Sequence, residues 1–494
     1  MLSQFALLIL GFFSQRAMNL YMGAELVGMN GVISNVINIL SVTELGISTA
    51  IVYHLYGALA RKDEAEIASL MNLYRKAYHV FAVLVFAAGM AVLPFIHLFM
   101  KNNSYSLSYI RVLYAMWLVR TVLSYLLTYR KSLLIADQKE YIASITGLIL
   151  NVVSYLAIIL LVTWEQNYLL ALGIGTVTEV VLNIWISWYV EQKYPFLRQR
   201  RKEKSTSSLT KRIVRDLKSL FISRISEKML YCTDNLIISG FIGVGTVGRY
   251  ANYCMITQAI SNILTILANT IQPTVGDYFT EKNHQRNYEI LRQLTFGFFC
   301  IASVISVGLF SLITPFVRDI WLGPSYELGW GITVLCIVVL LVRIMGLPLS
   351  LVMGVTGLFE KEKNVGASSA LLNLIVSLAL VKPYGMAGVL LGTLLSYLLQ
   401  IVYRYIIYFR DFLEMPGEAL RYAQDIGEYL AVIAGEVLLM QKIVPLVYGA
   451  GGMLLFCVCF LLCIAIPLLL DLVIFGRGWR LQSIVTMVKG MRKA

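Results

Sequence analysis

Apolar runs long enough to cross a bilayer recur from one end of this 494-residue chain to the other. A spanning helix needs roughly 20 mostly apolar residues, and reading for such runs between polar breaks gives about fourteen. They fall near 2–21, 30–58, 77–99, 107–129, 141–163, 168–190, 219–240, 247–275, 292–315, 328–354, 364–381, 386–405, 424–441 and 451–475. The second and eighth are long enough to be tilted or kinked. The thirteenth carries Glu436 and is the least secure, so twelve spans is the alternative. Composition agrees. Residues of the set AVILMFWYC make up 58% of the chain, only 14% are charged, and the mean hydropathy is +0.74. A deficit of charge this large excludes a soluble enzyme, a disordered protein and a disulfide scaffold. The seven Cys all lie inside apolar runs, where a thiol behaves as a small hydrophobe. His54, His79, His97 and His284 make no ligand spacing. The expectation is an all-α integral membrane protein with no metal site and no cofactor.

Lys and Arg number 41 against 28 Asp and Glu, a net charge of +13. In so apolar a chain this excess reads as the signal that orients membrane proteins, not as a nucleic-acid footprint. With both termini cytoplasmic, the outer loops hold only Lys101, Arg318, Lys382 and Lys442. Most other basic residues, from Arg61 and Lys62 to Arg492 and Lys493, then fall in inner loops and the C-terminal tail. The longest hydrophilic stretch, Glu191 to Lys218, contains Arg198-Gln-Arg-Arg-Lys-Glu-Lys204. It reads as a cytoplasmic linker held at an anionic leaflet, with recruitment of a partner enzyme as the alternative. The expected organisation is therefore an N-lobe of six helices (1–190), a basic linker (191–218), a C-lobe of six helices (219–410), and a final helix pair with a basic tail (411–494). The first apolar run starts at Leu2 with no basic segment before it and no cleavage site before Tyr21, so it is not a signal peptide. Lacking a cytoplasmic anchor, the chain is expected to have lost residues ahead of Met1.

An internal repeat relates the two lobes. At an offset of 220, Met22-Gly-Ala-Glu-Leu-Val-Gly28 matches Ile242-Gly-Val-Gly-Thr-Val-Gly248. Each copy is placed at the outer turn between the first and second helix of a lobe, where glycines allow a tight turn and close helix approach. At an offset of 222, Gln138-Lys-Glu140 falls on Glu360-Lys-Glu362 and Asn151 on Asn373. Six helices separate the copies, so the repeat axis runs along the membrane normal, with a central cavity between the lobes.

A charge inside the bilayer costs at least ~2.5–3.5 kcal/mol on insertion scales, so each one needs a partner or water. The deep charges are Arg16, Glu44, Arg120, Glu179, Arg224, Glu227, Lys228, Asp234, Arg343 and Glu436. The repeat carries Arg120 to within one residue of Arg343. Two guanidiniums facing one cavity are unfavourable unless an anion binds, and guanidinium suits diphosphate. The alternative is that each pairs with a local carboxylate such as Glu44 or Glu179. Arg16 either snorkels or binds substrate. Arg224, Glu227 and Lys228 share one helix face near the inner mouth, as a structural cluster or an entry site for anionic headgroups. Asp234 either pairs a cavity arginine, binds a coupling cation or bonds a neighbouring helix. Gly346-Leu-Pro348 follows Arg343 and is expected to kink its helix, as a gate or as a static bend.

Several stretches resemble Wzx-type polysaccharide flippases. They are Gly23-Ala-Glu-Leu-Val-Gly-Met-Asn-Gly31, Leu40-Ser-Val-Thr-Glu-Leu-Gly-Ile-Ser-Thr-Ala50, Leu70-Met-Asn-Leu-Tyr-Arg-Lys-Ala-Tyr78, Ala136-Asp-Gln-Lys-Glu-Tyr141 and Thr233-Asp-Asn-Leu-Ile-Ile-Ser239. That branch shares a superfamily with the MATE antiporters and the lipid II flippase MurJ. The resemblance implies two six-helix lobes with two helices added, and a bacterial cytoplasmic-membrane protein. It also implies that undecaprenyl-diphosphate-linked oligosaccharide is moved from the cytoplasmic to the outer leaflet; whether a coupling ion or the membrane potential drives the step is left open by the sequence. A cation-coupled multidrug antiporter is the second reading, though the deep charges lean positive. A polymerase or ligase is the third, though it needs a large outer loop that this chain lacks. The topology is directly testable. Alkaline phosphatase fused after Lys101 or Lys442 is expected to be active, and fused after Arg201 inactive; the opposite pattern overturns the orientation.

Overall fold

The computed structural model describes residues 2–41, 47–198, 232–279, 283–449 and 451–476. Among them there is no strand, and eleven helical stretches are long and apolar enough to cross a membrane. The chain divides into two compact units, Met1–Ala251 and Asn252–Ala494. The boundary falls inside a helix well after the basic linker expected at 191–218, most of which lies outside the described residues.

The first unit contains α1 (Leu2–Leu40), α2 (Ile47–Ala60), α3 (Glu64–Val92), α4 (Leu107–Thr128), the short α5 (Lys131–Ala136), α6 (Glu140–Trp164), α7 (Tyr168–Lys193), α8 (232–241) and the start of α9 (Val244–Tyr278). The apolar run expected at 30–58 is thus divided between α1 and α2, and the one expected at 219–240 is described only in α8. Side-chain oxygens at the helix starts satisfy backbone donors that no helical bond can reach. Asp63 accepts from the Glu66 amide at 2.9 Å, and Asn167 from the Leu170 amide at 3.1 Å. Large apolar side chains such as Val83, Val177, Val181 and Trp188 lie on the outside. That placement suits a lipid solvent and is costly in water.

Both copies of the repeated glycine motif break a helix. Gly23 interrupts α1 at φ 81°, and Gly243 separates α8 from α9 at φ 142°. These are backbone conformations that L side chains rarely adopt. The chain following Phe99 clasps the second break. Lys101 Nζ donates to the Phe241 carbonyl at 3.0 Å, Asn102 Nδ2 to that of Ile242 at 2.9 Å, and the Val244 amide to that of Lys101 at 3.1 Å. Ser239 Oγ adds a bond to the Phe99 carbonyl. Beyond the breaks, α1 and α9 cross backbone to backbone. A Cβ placed on Gly28 would lie 1.9 Å from the Val244 carbonyl oxygen, and one on Gly248 would lie 1.8 Å from that of Ala24. The offset of 220 relates both pairs, so the contact is reciprocal.

The second unit holds the rest of α9, then α10 (His284–Pro315), α11 (Trp330–Val355), α12 (Phe359–Tyr384), α13 (Met386–Ile406), α14 (Pro416–Tyr448) and α15 (Met453–Phe475). The insecure thirteenth span is therefore a continuous helix, α14, long enough to cross. α10 is the hub, packed on α11, α14 and α15. Its Phe299 stacks on Tyr429 of α14 at 4.5 Å between ring centroids, with Phe475 of α15 edge-on at 5.5 Å. The α12–α13 hairpin turns at Gly385 (φ 57°) and closes through small residues and a polar seam. Asn373 Nδ2 donates to Thr393 Oγ1 at 3.0 Å, Ser396 Oγ to the Ser369 carbonyl at 2.9 Å and Ser377 Oγ to that of Val389 at 3.3 Å. In lipid, where apolar burial drives little helix association, such contacts hold helices together.

The glycine crossing makes a sharp prediction. Gly28→Ala or Gly248→Ala forces two helix backbones apart and is expected to cost about 1–3 kcal/mol, the usual range for overpacking. A lower melting temperature and less protein in the membrane would show it. Gly31→Ala, where the nearest atom is Val247 Cγ1 at 3.9 Å, is expected to be tolerated.

Candidate functional site

A polar cluster of the first unit lies between α4 and α7. On α4, Trp117, Thr121, Ser124 and Thr128 recur at helical spacing on the face that carries Arg120. On α7, Gly175, Glu179, Asn183, Ser187 and Glu191 recur every fourth residue. The two stripes meet as a ladder. Arg120 Nε donates to Glu179 Oε2 at 2.8 Å, Thr128 Oγ1 to Asn183 Oδ1 at 3.5 Å, and Arg130 Nη2 pairs with Glu191 Oε1 at 2.5 Å. Arg130 Nη1 also donates to the Ser187 carbonyl at 3.2 Å. α1 joins the top of the ladder through Asn30, whose Oδ1 accepts from Trp117 Nε1 at 2.8 Å.

Arg120 is the centre of this arrangement. Its guanidinium carbon sits 5.5 Å from the centroid of the Trp117 ring, close enough for a cation–π contact. The bond to Glu179 uses Nε alone, and no described residue accepts from Nη1 or Nη2. Nη1 lies beside Gly175, whose missing side chain leaves room for it. The buried hydroxyl of Ser154 on α6 lies next to the same glycine and has no hydrogen-bond partner. The side chains of Arg120 and Glu179 remain 21% and 16% exposed, so the pair can be reached. An indole face, two unengaged guanidinium nitrogens and a spare hydroxyl form a set suited to an anionic or sugar-bearing ligand.

The other expected site residues are distributed differently. Arg120 belongs to the first unit and Arg343 to the second, half-buried midway along α11 with an interaction partner of its own. Arg120 is paired locally, which is the alternative that its sequence context leaves open. Like-charge repulsion therefore does not by itself call for an anion at Arg120. Arg16 is exposed on α1, and Asp234 is buried in α8; both have partners. Glu44, Arg224 and Lys228 lie outside the described residues. Gly346 and Pro348 are buried in α11, which stays helical to Val355. A Cβ on Gly346 would meet Ile401 of α13 at 2.9 Å, so this glycine serves helix packing.

Sequence reasoning overlooked Trp117, Asn30, Ser154 and Asn183. The signal for the last was present in the four-residue spacing from Glu179 to Glu191. The stretch Ala136–Tyr141 forms the turn between α5 and α6, outside the spans. There burial works against the charge of Asp137, but hydrogen bonds from Lys139 and Tyr194 hold its carboxyl below the usual range.

Comparison with known proteins bears on the fold and the family. No curated protein matches the chain in sequence. Among solved structures it is similar to a lipid II flippase MurJ in an inward closed conformation. The TM-score is 0.70 at 16% identity, covering 96% of this chain and 98% of that one. It is also similar to an inward-facing multidrug resistance MATE family transporter of the MOP superfamily, with a TM-score of 0.65 at 12% identity and coverage of 83% and 94%. For the Vibrio cholerae MATE transporter VcmN the TM-score is 0.53 at 10% identity, with coverage of 84% and 98%. These likenesses establish a MurJ- and MATE-like helical fold. Residues 1–279 match the polysaccharide biosynthesis protein family, and the chain belongs to that family.

Proposed function

We propose that the protein is a flippase that moves an undecaprenyl-diphosphate-linked oligosaccharide from the cytoplasmic to the outer leaflet of a bacterial inner membrane, by alternating access. The observation that carries this reading is a polysaccharide-biosynthesis family match on a fold similar to that of a lipid II flippase. Chemistry at Arg120 supports it. A diphosphate offers several acceptor oxygens to the two unengaged nitrogens, and sugar rings stack on an indole. Glu179 then acts as the resident counter-ion. It holds the guanidinium in place when no substrate is bound and keeps its charge compensated at membrane depth. Such a compensated site suits a carrier, which must release its anion as readily as it binds it. The second reading, multidrug antiport, has the MATE-like fold in its favour, but the unengaged groups at Arg120 are hydrogen-bond donors, which suit an anion and not a cationic cargo.

Charge-assisted hydrogen bonds are worth about 1.5–3 kcal/mol. Arg120→Ala is therefore expected to weaken substrate binding by about 10- to 100-fold. In cells depending on the variant for export, it should reach the membrane yet leave the surface nearly free of polysaccharide. Normal surface polymer in those cells, or restored drug resistance in an efflux-deficient strain, would sink the proposal. Glu179→Gln leaves Arg120 uncompensated. Because both side chains are partly exposed, its loss of stability should fall below the about 3–5 kcal/mol of a fully buried pair. Thermal unfolding of the single and double variants measures that coupling.

A further inference from the structure

The second unit buries two carboxylates that the substrate reading does not use. Glu436 on α14 is 2% exposed and Asp471 on α15 is 4% exposed. Ser303 Oγ on α10 donates to Glu436 Oε2 at 2.6 Å. The other Glu436 oxygen and both Asp471 oxygens are buried with no hydrogen-bond partner. The two acids are electrostatic neighbours, and Cys300, one turn before Ser303, is a neighbour of both. The packing of α10, α14 and α15 against one another encloses them, and the stacked Phe299, Tyr429 and Phe475 lie on one side.

No described cation balances the pair. The facing titratable groups are Cys300 from α10, Glu436 from α14 and Asp471 from α15. The nearest paired base along α10, Arg292, is held by Asp425 at 2.6 Å. Residues 292 to 303 and 425 to 436 have the same spacing, so the Arg292–Asp425 and Ser303–Glu436 contacts occupy successive levels of one α10–α14 interface. The turn before α14 carries Arg410 and Asp411, which pair with each other at 2.7 Å. Two buried carboxylates enclosed by the same three helices are costly to keep ionised together without a cation beside them. A hard metal ion requires about six oxygen ligands. Here three carboxylate oxygens are unengaged and the one neighbouring hydroxyl already donates to Glu436. Nor do the described residues contain a group of three or more His, Cys, Asp or Glu able to hold a metal. A proton needs only one oxygen.

We propose that Glu436 and Asp471 form a proton-binding site, in which the buried pair holds one proton and Ser303 steadies the Glu436 side. Taking up the proton leaves the pair with a single negative charge; releasing it to water restores two. Proton occupancy of this site is independent of what the protein carries, so failure of the flippase reading would leave it standing.

The test uses the full-length protein in proteoliposomes and dicyclohexylcarbodiimide, which modifies protonated carboxyl groups in apolar surroundings. Peptide mapping by mass spectrometry is expected to place the label on Glu436 or Asp471, with labelling lost as the pH is raised. The Glu436→Gln/Asp471→Asn double variant should lose both the label and a carboxylic-acid carbonyl band in the infrared spectrum. Absence of label from both residues in the folded wild-type protein would overturn the proposal. So would labelling that is indifferent to pH but blocked by sodium or potassium, since that pattern marks a metal-cation site. The wild-type measurements decide the matter even if the double variant does not fold.

Discussion

The carbonyl oxygens of Ala24 and Val244 occupy the space that side chains on Gly248 and Gly28 would fill, and the rest of the first unit is arranged around that contact. Within a bilayer, apolar surface gains nothing by meeting other apolar surface instead of lipid. Association has to come from close packing, from weak Cα–H···O contacts and from polar groups that find each other. Backbones can approach this closely only where both helices offer a glycine. The breaks at Gly23 and Gly243 set the direction in which α1 and α9 leave their turns. Glu25 then fastens the neighbouring loop by accepting from the Ser104 amide at 2.9 Å and from its hydroxyl at 3.2 Å.

Two other helix pairs, α4–α7 and α12–α13, are joined by polar contacts of different kinds. Between α4 and α7 the charged Arg120–Glu179 rung sits beside the neutral Thr128–Asn183 one, and between α12 and α13 the contacts are all neutral hydroxyls and amides. The difference matters. A neutral seam locks two helices once and asks for nothing further. A charged rung such as Arg120–Glu179 keeps unused donors and therefore has capacity for a ligand.

Much of the architecture was legible in the sequence because lipid imposes such simple rules. Span length, the glycine turns and the presence of a local partner for Arg120 all follow from what a bilayer forbids. The register between helices was not legible. Sequence offers Glu44 and Glu179 equally to Arg120, and only the packing of α7 on α4 selects Glu179. Asp471 escaped notice because it stands alone in an otherwise apolar helix, and its meaning depends on Glu436 of a neighbouring helix. Pro348 lies inside α11, which continues as one helix to Val355 beyond the backbone bond that a proline cannot make.

The reciprocity of the glycine crossing has one more consequence. Position 24 of one motif meets position 248 of the other, while 244 meets 28, so each motif presents to its counterpart the surface it receives. That is the defining property of an isologous interface, the kind formed by two identical subunits about a two-fold axis. A chain bearing only one copy of the motif could make the same crossing with a second molecule of itself. The contact between α1 and α9 thus has the symmetry of a dimer interface held within one chain.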